Sequence, residues 1–500
     1  MANSESNAGR FLKHSTIYAI GNVSRQMVGF LMLPLYTRFL TPADYGVVGL
    51  LTFALALLEP FFGARLGDAM MKFYYEAKDD AQRRIVISTT LMVTGMVSTV
   101  VASVAFACRV SVSKLIFGTP EYAVPVGLLS YVFLSQAIEY YGLTFLRIQQ
   151  RPVTFVIVNL SKLVIQVCMN TYLVVYLKQG VTGVALTSVV SSGLYAAGLG
   201  IYTIYYNGMK WDLGIARRMI VFSWPLWLSS LASLYIFSAN RYYIRIFSSM
   251  DQVGYYELAA RFAAILGLVI WQPFAQFWET ERFRHWRKPE AGAIFGSVFE
   301  FASTMQVLGA LGISIFSEPV INLMSAPAFH QAARLVPWLS FAWMFGNLAI
   351  FTTFSFLATE KTGQITRNSY ITVAIVTVLN LLLIPKFGYI GAGIAQFLAL
   401  FTAFLLLRRA ARPLFDMRLR LAPLFAMLAV ACVSYVAANV VIHFASVWVD
   451  LLWKVVIYAI SSALIIRVLL RSAPNKAQVM RLLDAMIFPL MRRLRLLPHS

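Results

Sequence analysis

The sequence predicts an all-α polytopic membrane protein of about 14 transmembrane helices, built as two parallel six-helix repeats plus two extra C-terminal helices. Three observations carry this prediction. The composition is 59% apolar and 13% charged, with a mean hydropathy of +0.71. Apolar stretches of about 20 residues follow one another along the chain, the length that crosses a hydrocarbon layer roughly 30 Å thick. A glycine motif recurs at a fixed displacement, from Gly180 to Gly388. A soluble chain would carry roughly 25% charge. The formal net charge of +21 would suggest nucleic acid in such a chain, but here the basic residues sit between apolar stretches, so no nucleic-acid partner is expected. The cysteines, Cys108, Cys168 and Cys432, all fall inside apolar runs. They offer no disulfide framework and read as packing residues.

The apolar windows place helices at about 15–35, 45–66, 85–108, 122–145, 153–177 and 182–206, then at about 219–240, 253–278, 293–316, 335–358, 368–385 and 389–407, with two more at about 421–445 and 449–470. The expected organisation is an N-terminal six-helix lobe over 1–210, a second six-helix lobe over 211–410, two additional transmembrane helices over 411–470 and a basic amphipathic tail over 471–500. In that tail Val479, Leu482, Leu483, Met486, Leu490 and Leu494 alternate with arginines, the pattern of an interfacial helix. The loops leave no room for a soluble catalytic domain, and the polar opening segment does not read as a cleavable signal peptide.

Orientation follows from Lys and Arg, because positively charged loops resist translocation. A cytoplasmic N-terminus assigns about thirty of the 42 basic residues to the cytoplasmic side and about nine to the other. Both termini are therefore expected in the cytoplasm of a bacterial inner membrane. The remaining cations, Arg25, Lys162 and Arg261, fall within spans. Blocks such as Arg282, Arg284, Arg287 and Lys288, or Arg408, Arg409 and Arg412, read as topology signal with an attraction to anionic membrane lipids.

The internal repeat is short and ordered. Lys178, Gly180, Gly183 and Ala185 recur as Lys386, Gly388, Gly391 and Gly393. Asn170 has an upstream counterpart in Asn380, and Tyr45-Gly46 recurs as Val253-Gly254. The glycines imply a tight helix-to-helix turn followed by close helix packing. Six spans per copy return the chain to its starting side, so the copies are parallel. That plan serves alternating-access transporters, which hold substrate near the midplane between their halves.

The stretch from Phe11 to Arg25, followed by the segment PLYTRFLTPADYG from Pro34 to Gly46, resembles the start of bacterial polysaccharide flippases of the Wzx type, within the multidrug/oligosaccharidyl-lipid/polysaccharide exporter superfamily. With the expected helix pattern, the resemblance extends over essentially the whole chain. It implies movement of an undecaprenyl-pyrophosphate-linked oligosaccharide from the cytoplasmic to the periplasmic leaflet, for O-antigen, capsule or exopolysaccharide biosynthesis, next to the polymerase that consumes the product. One departure stands out. Where family members often carry an acid before the arginine ending the seventh helix, this chain has Asn240-Arg241.

A charge at the bilayer centre costs about 2.5–3.5 kcal/mol on insertion scales, so each one in a span is a functional candidate. Arg25 lies in a polar strip with Asn22, Ser24 and Gln26 and is the leading candidate for a pyrophosphate head group, since its forked donors match phosphate oxygens. It could equally pair with a carboxylate such as Glu59. Lys162, between Asn159, Ser161 and Gln166, extends such a cationic lining or snorkels to the cytoplasmic face. Glu257 and Arg261 are four apart and suggest mutual neutralisation. Arg241 and Arg245 share a face at the outer end of the seventh helix, as a release site for the anionic group or as headgroup residues. Glu59 (before Pro60), Glu139, Glu257 and Glu300 are candidates for ion coupling or counter-charge, so a proton or sodium gradient enters as a possible driving force; no cofactor or metal is implied.

Trp224, Trp227, Trp271, Trp278, Trp338 and Trp343 lie near span ends or prolines and read mostly as interfacial belts. Two rival functions are weighed. A cation-coupled multidrug exporter of the same superfamily would favour an acidic cavity, which an isolated Arg25 opposes. A membrane-embedded glycosyltransferase, polymerase or ligase would be expected to show a large loop with catalytic carboxylates or a metal-type cluster, and the scattered histidines have no ligand spacing.

Overall fold

The computed structural model describes residues 32–58, 66–441 and 446–472, the side chains of 68, 225–229 and 280 excepted. These residues form eighteen α-helices and no strand. In chain order they are α1 (Leu33–Phe39), α2 (Pro42–Leu58), α3 (Leu66–Glu76), α4 (Asp80–Ala107), α5 (Arg109–Phe117), α6 (Ala123–Ile148), α7 (Pro152–Asn170), α8 (Gly180–Asn207) and α9 (Leu213–Ser238). There follow α10 (Asn240–Phe247), α11 (Met250–Ile265), α12 (Gln272–His285), α13 (Ala291–Met324), α14 (Val336–Thr352), α15 (Phe354–Ala358), α16 (Gly363–Ala411), α17 (Leu421–Val436) and α18 (Val447–Ser472). Thr171–Tyr176, Leu266–Trp271 and Ala437–Val441 widen into π-helical turns that continue α7, α11 and α17. Ten helical stretches among the described residues are long and apolar enough to cross a membrane, and α2 is a shorter apolar helix. The chain is a multi-pass, all-helical membrane protein. The first expected span lies largely outside the described residues, as do Arg25, Glu59, Pro60 and the expected interfacial helix of the tail.

Local chemistry sets the helix ends. In the TPADYG part of the Pro34–Gly46 segment, Thr41 and Asp44 form a capping box: the Thr41 N–H donates to Asp44 Oδ2 at 3.1 Å and the Asp44 N–H donates to Thr41 Oγ1 at 3.1 Å. Pro42 takes the first helical position, where its missing N–H costs nothing. Asp79 and Asp212 cap α4 and α9 by accepting from the Gln82 and Ile215 N–H groups at 2.7 and 2.8 Å.

The helices gather into two compact units. The first comprises the chain up to Glu257 with Met324–Phe329, and the second comprises Leu258–Leu323 with the chain from His330 onward. In the first unit α6 packs along α4 and α8, and Leu66, Met70, Val86, Tyr141, Ile215 and Met219 tie α3, α4, α6 and α9 into one core. Tyr45 is fully buried, edge-on to Phe329 at 5.7 Å. In the second unit α14 lies along α16, and an aromatic cluster fills the space beside them. Trp278 stacks parallel to Phe351 at 5.9 Å and meets Phe295 edge-on at 5.0 Å, while Phe295 contacts Phe354 and Phe415 at 5.1 Å. Such ring pairs each add about 0.5–1.5 kcal/mol beyond burial.

The repeat is visible in backbone geometry. Gly180 (φ +53°) opens α8, and Gly388 (φ +55°, ψ −137°) bends α16 into two legs where the sequence places two spans. Both glycines hold left-handed backbone that side chains resist. Gly46 and Gly254 face each other at the crossing of α2 and α11: a Cβ on Gly46 would come within 2.9 Å of the Gly254 nitrogen, and one on Gly254 within 2.8 Å of the Pro42 carbonyl carbon.

Two expectations are corrected here. Trp271 and Trp278 are 8% and 5% exposed and belong to the core of the second unit rather than to an interfacial belt, because their rings pack on Phe274, Phe295 and Phe351. The three cysteines lie on the surface rather than within the packing.

Candidate functional site

Among the described residues of the first unit, two buried ion pairs stand out. Lys162 of α7 points at Glu139 of α6, with Nζ at 2.7 and 2.5 Å from the carboxylate oxygens and at 3.4 Å from Ser192 Oγ of α8. The two side chains are 15% and 9% exposed. Around them runs a polar seam between α7 and α8, in which Gln166 donates to Ser191 at 3.3 Å and Tyr195 donates to Ser161 at 2.6 Å. Lys162 is therefore held between Glu139 and Ser192. Bringing the two charges together offsets the cost of holding either in an apolar span.

The second pair joins Arg241 of α10 to Glu257 of α11, with Nε at 2.7 Å from Oε2. Arg241 also donates to the Phe237 carbonyl at 3.2 Å and lies over the Tyr256 ring at 5.4 Å. Asn240, fully buried, donates to the Tyr256 hydroxyl at 2.9 Å. The acid that the family resemblance puts before the arginine is replaced by this amide, and the carboxylate reaches Arg241 from the next helix. Gly49 of α2 makes the room: a Cβ there would stand 3.1 Å from Glu257 Oε2. Arg241 and Arg245 differ in their surroundings. Arg241 is withdrawn into the helices, while Arg245 is half-buried against Gly118 and the Tyr242 ring. Arg261 is half-buried one turn beyond Glu257.

Glu300 of α13 lies in the second unit at 2% exposure. Ser472 Oγ donates to its Oε2 at 3.2 Å, and its Oε1 has no hydrogen-bond partner among the described residues. Sequence reasoning missed a further site. Lys454 of α18, 2% exposed, bonds Glu318 Oε2 of α13 and Asp450 Oδ2 at 3.0 Å each. The i, i+4 spacing of Asp450 and Lys454 was its signal in the sequence. Among the described residues no group of three His, Cys, Asp or Glu could hold a metal ion.

Lys162 and Arg241 are each paired with a carboxylate of a neighbouring helix. An incoming phosphorylated anion would have to displace Glu139 or Glu257 to reach them, an exchange of one charge-assisted bond set for another.

The sequence pattern of the family described as polysaccharide biosynthesis protein matches residues 11–276, more than half of the chain. The chain belongs to this family. No curated protein matches it. Among solved structures, the family member is similar to the lipid II flippase MurJ in an inward closed conformation, at 13% identity and a TM-score of 0.68 over 90% of this chain and 99% of that one. It is also similar to an inward-facing multidrug resistance MATE family transporter of the MOP superfamily, at 14% identity and a TM-score of 0.63 over 78% and 95% of the two chains. A MOP superfamily transporter from Pyrococcus furiosus, titled for the reverse polarity of its binding pocket, matches at 14% identity and a TM-score of 0.53 over 81% and 96%. These likenesses establish the fold of this polysaccharide biosynthesis family member as the one shared by those solved flippase and transporter structures.

Proposed function

We propose that this protein moves an undecaprenyl-pyrophosphate-linked oligosaccharide from the cytoplasmic to the periplasmic leaflet of a bacterial inner membrane by alternating access, for O-antigen, capsule or exopolysaccharide assembly. The observation that carries the reading is membership of a polysaccharide biosynthesis family in a chain with a transporter fold. A family concerned with sugar polymers needs a transporter where the sugar is built on a lipid on one side of the membrane and used on the other. Unaided crossing of a pyrophosphate meets an idealised cost on the order of 20 kcal/mol per ion, so a path must supply cations inside the membrane. Arg25, Lys162 and Arg241 are the cations assigned to it, with Glu139 and Glu257 as the counter-charges released on binding. The lobes 1–210 and 211–410 would rock about the cargo, the two extra helices would offer the polyprenyl tail a groove, and a proton or sodium gradient acting at Glu59 or Glu300 would drive the cycle. Both termini are assigned to the cytoplasm, where the basic loops lie in this orientation, and a polymerase takes the product.

The test is leaflet localisation of a labelled lipid-linked oligosaccharide in proteoliposomes, wild type against Arg25→Ala. The wild type should flip the lipid and the variant should be slower by about tenfold or more, the equivalent of one lost charge-assisted contact of about 1.4 kcal/mol. Equal rates would remove Arg25 from the path, and no flipping by the wild type would remove the function. Rates indifferent to imposed proton and sodium gradients would discard the coupling role.

A further inference from the structure

The second unit holds a cavity of about 280 Å³ whose wall carries Arg408, Arg412, Arg418 and Arg420. Its floor is α13 at Ala293 and Gly296, its sides are the end of α16 and the segment leading into α17, and its single acidic lining residue is Asp416. The Asp416 carboxylate is engaged within its own turn, accepting from the Arg418 N–H at 3.0 Å. None of the four guanidinium groups forms an ion pair with a carboxylate among the described residues. Arg408 spends Nη2 on the Leu419 carbonyl at 2.9 Å, and its buried Nε has no hydrogen-bond partner among the described residues. Arg420 donates Nη1 to the Ser472 carbonyl at 2.9 Å. Arg412, Arg418 and Arg420 are exposed.

Like charges gathered around one hollow repel, and the carboxylates of Asp416 and Glu300, which act on Arg408 and Arg420, offset only part of four positive charges, so an anion that shares the hollow lowers the remaining cost. The backbone adds an independent sign. Arg418 stands at φ +49°, a left-handed conformation that glycine or asparagine adopts more easily. Close packing explains the tightness of the segment, since a Cβ on Gly296 would stand 3.1 Å from the Arg418 carbonyl oxygen. It does not explain an arginine there. The hollow is several times the roughly 30 Å³ that one water occupies in the liquid, and it presents planar, forked donors.

We propose that this cavity is a binding site for a phosphoryl anion, with Arg408, Arg412, Arg418 and Arg420 as its ligands. It is a phosphate site of the second unit, distinct from the intramembrane cations assigned to cargo. The phosphoryl group comes either from an anionic phospholipid or from a soluble phosphate compound; both present the oxygens that the four guanidinium groups match. The basic block Arg408, Arg409, Arg412 thereby has a role beyond orienting the chain.

The experiment uses the full-length protein and measures binding, so it stands or falls separately from flipping. Inorganic pyrophosphate is titrated onto protein in neutral detergent, and the same protein is compared in nanodiscs of phosphatidylcholine with and without phosphatidylglycerol, following thermal stability and bound probe. The variant is Arg412→Ala with Arg418→Gly, chosen because glycine suits the left-handed backbone and should keep the fold. Saturable pyrophosphate binding weakened about tenfold or more in the variant supports the site and assigns a soluble source. Stabilisation by phosphatidylglycerol that the variant loses, without pyrophosphate binding, supports the site and assigns a lipid source. Binding or stabilisation equal in wild type and variant, or absent for both probes, overturns it.

Discussion

Gly46 and Gly254, related by the internal repeat, meet at the crossing of α2 and α11, each too close to the other's helix to accept a side chain. Two glycines at the same displacement as the Gly180–Gly388 pair thus meet at one helix crossing. Helix association in lipid relies on close packing rather than on water exclusion, so a methyl group inserted here has few compensations. Gly254→Ala is expected to destabilise the purified protein by about 1–3 kcal/mol, and Gly46→Ala by a similar amount. Thermal unfolding in detergent checks both. Because the glycines share one crossing, the double variant should lose less than the two single losses added together.

The Lys162–Glu139 pair separates structure from transport. Glu139→Gln leaves a buried ammonium without its counter-charge and should cost about 3–5 kcal/mol, whereas Lys162→Met combined with Glu139→Leu should recover most of that stability. If Lys162 takes part in the path, the recovered double variant still flips poorly. Restored stability together with full flipping would make the pair purely architectural.

Gly388→Ala should cost about 1–3 kcal/mol, since its φ and ψ fall where side chains are strained. At the matching turn, Lys178 already holds φ +52°. Lys178→Gly relieves that strain and should leave stability unchanged or raise it by less than about 1 kcal/mol. A melting temperature that falls for Gly388→Ala and holds or rises for Lys178→Gly checks this assignment.

Lys454→Met removes a cation from between Glu318 and Asp450, side chains that are 42% and 20% exposed. Because both acids reach water, the loss should stay near 1–2 kcal/mol, below that of Glu139→Gln, as judged by chemical or thermal denaturation in one detergent.

Burial, then the charges of Asp44 and Glu121, push the Tyr122 hydroxyl above its ordinary range. The folded chain therefore holds this proton more tightly than the unfolded one. Its share of stability is full below about pH 10 and is lost as pH rises through the folded value. Tyr122→Phe should flatten the alkaline limb of a stability profile, and an unchanged slope above about pH 10 would sink this assignment.

The spans were legible because hydrocarbon imposes length and apolarity directly on the sequence. The window 85–108 became Asp80–Ala107 and 182–206 became Gly180–Asn207, the added turns being polar or charged ends that the apolar window leaves out. The split between 368–385 and 389–407 appeared as the bend at Gly388. Partners of the intramembrane charges were not legible. Glu139 and Lys162 are joined across two helices, as are Arg241 and Glu257, and no local spacing announces which acid reaches which base. Where the signal was local, at Asp450 and Lys454, the pair could have been read. The tryptophans show the same limit, since position near a span end does not say whether Trp278 meets Phe351 or the membrane interface.

The π turn at Leu266–Trp271 inserts one residue into the rotation of a membrane helix. Each α-helical residue advances the azimuth by about 100°, so everything from Gln272 onward is phased by that amount relative to an unbroken rod. Excising one residue from this turn would act as a rephasing rather than a shortening. It would swing Phe274 and Trp278 away from their ring partners while leaving the upstream half, with Glu257, where it stands.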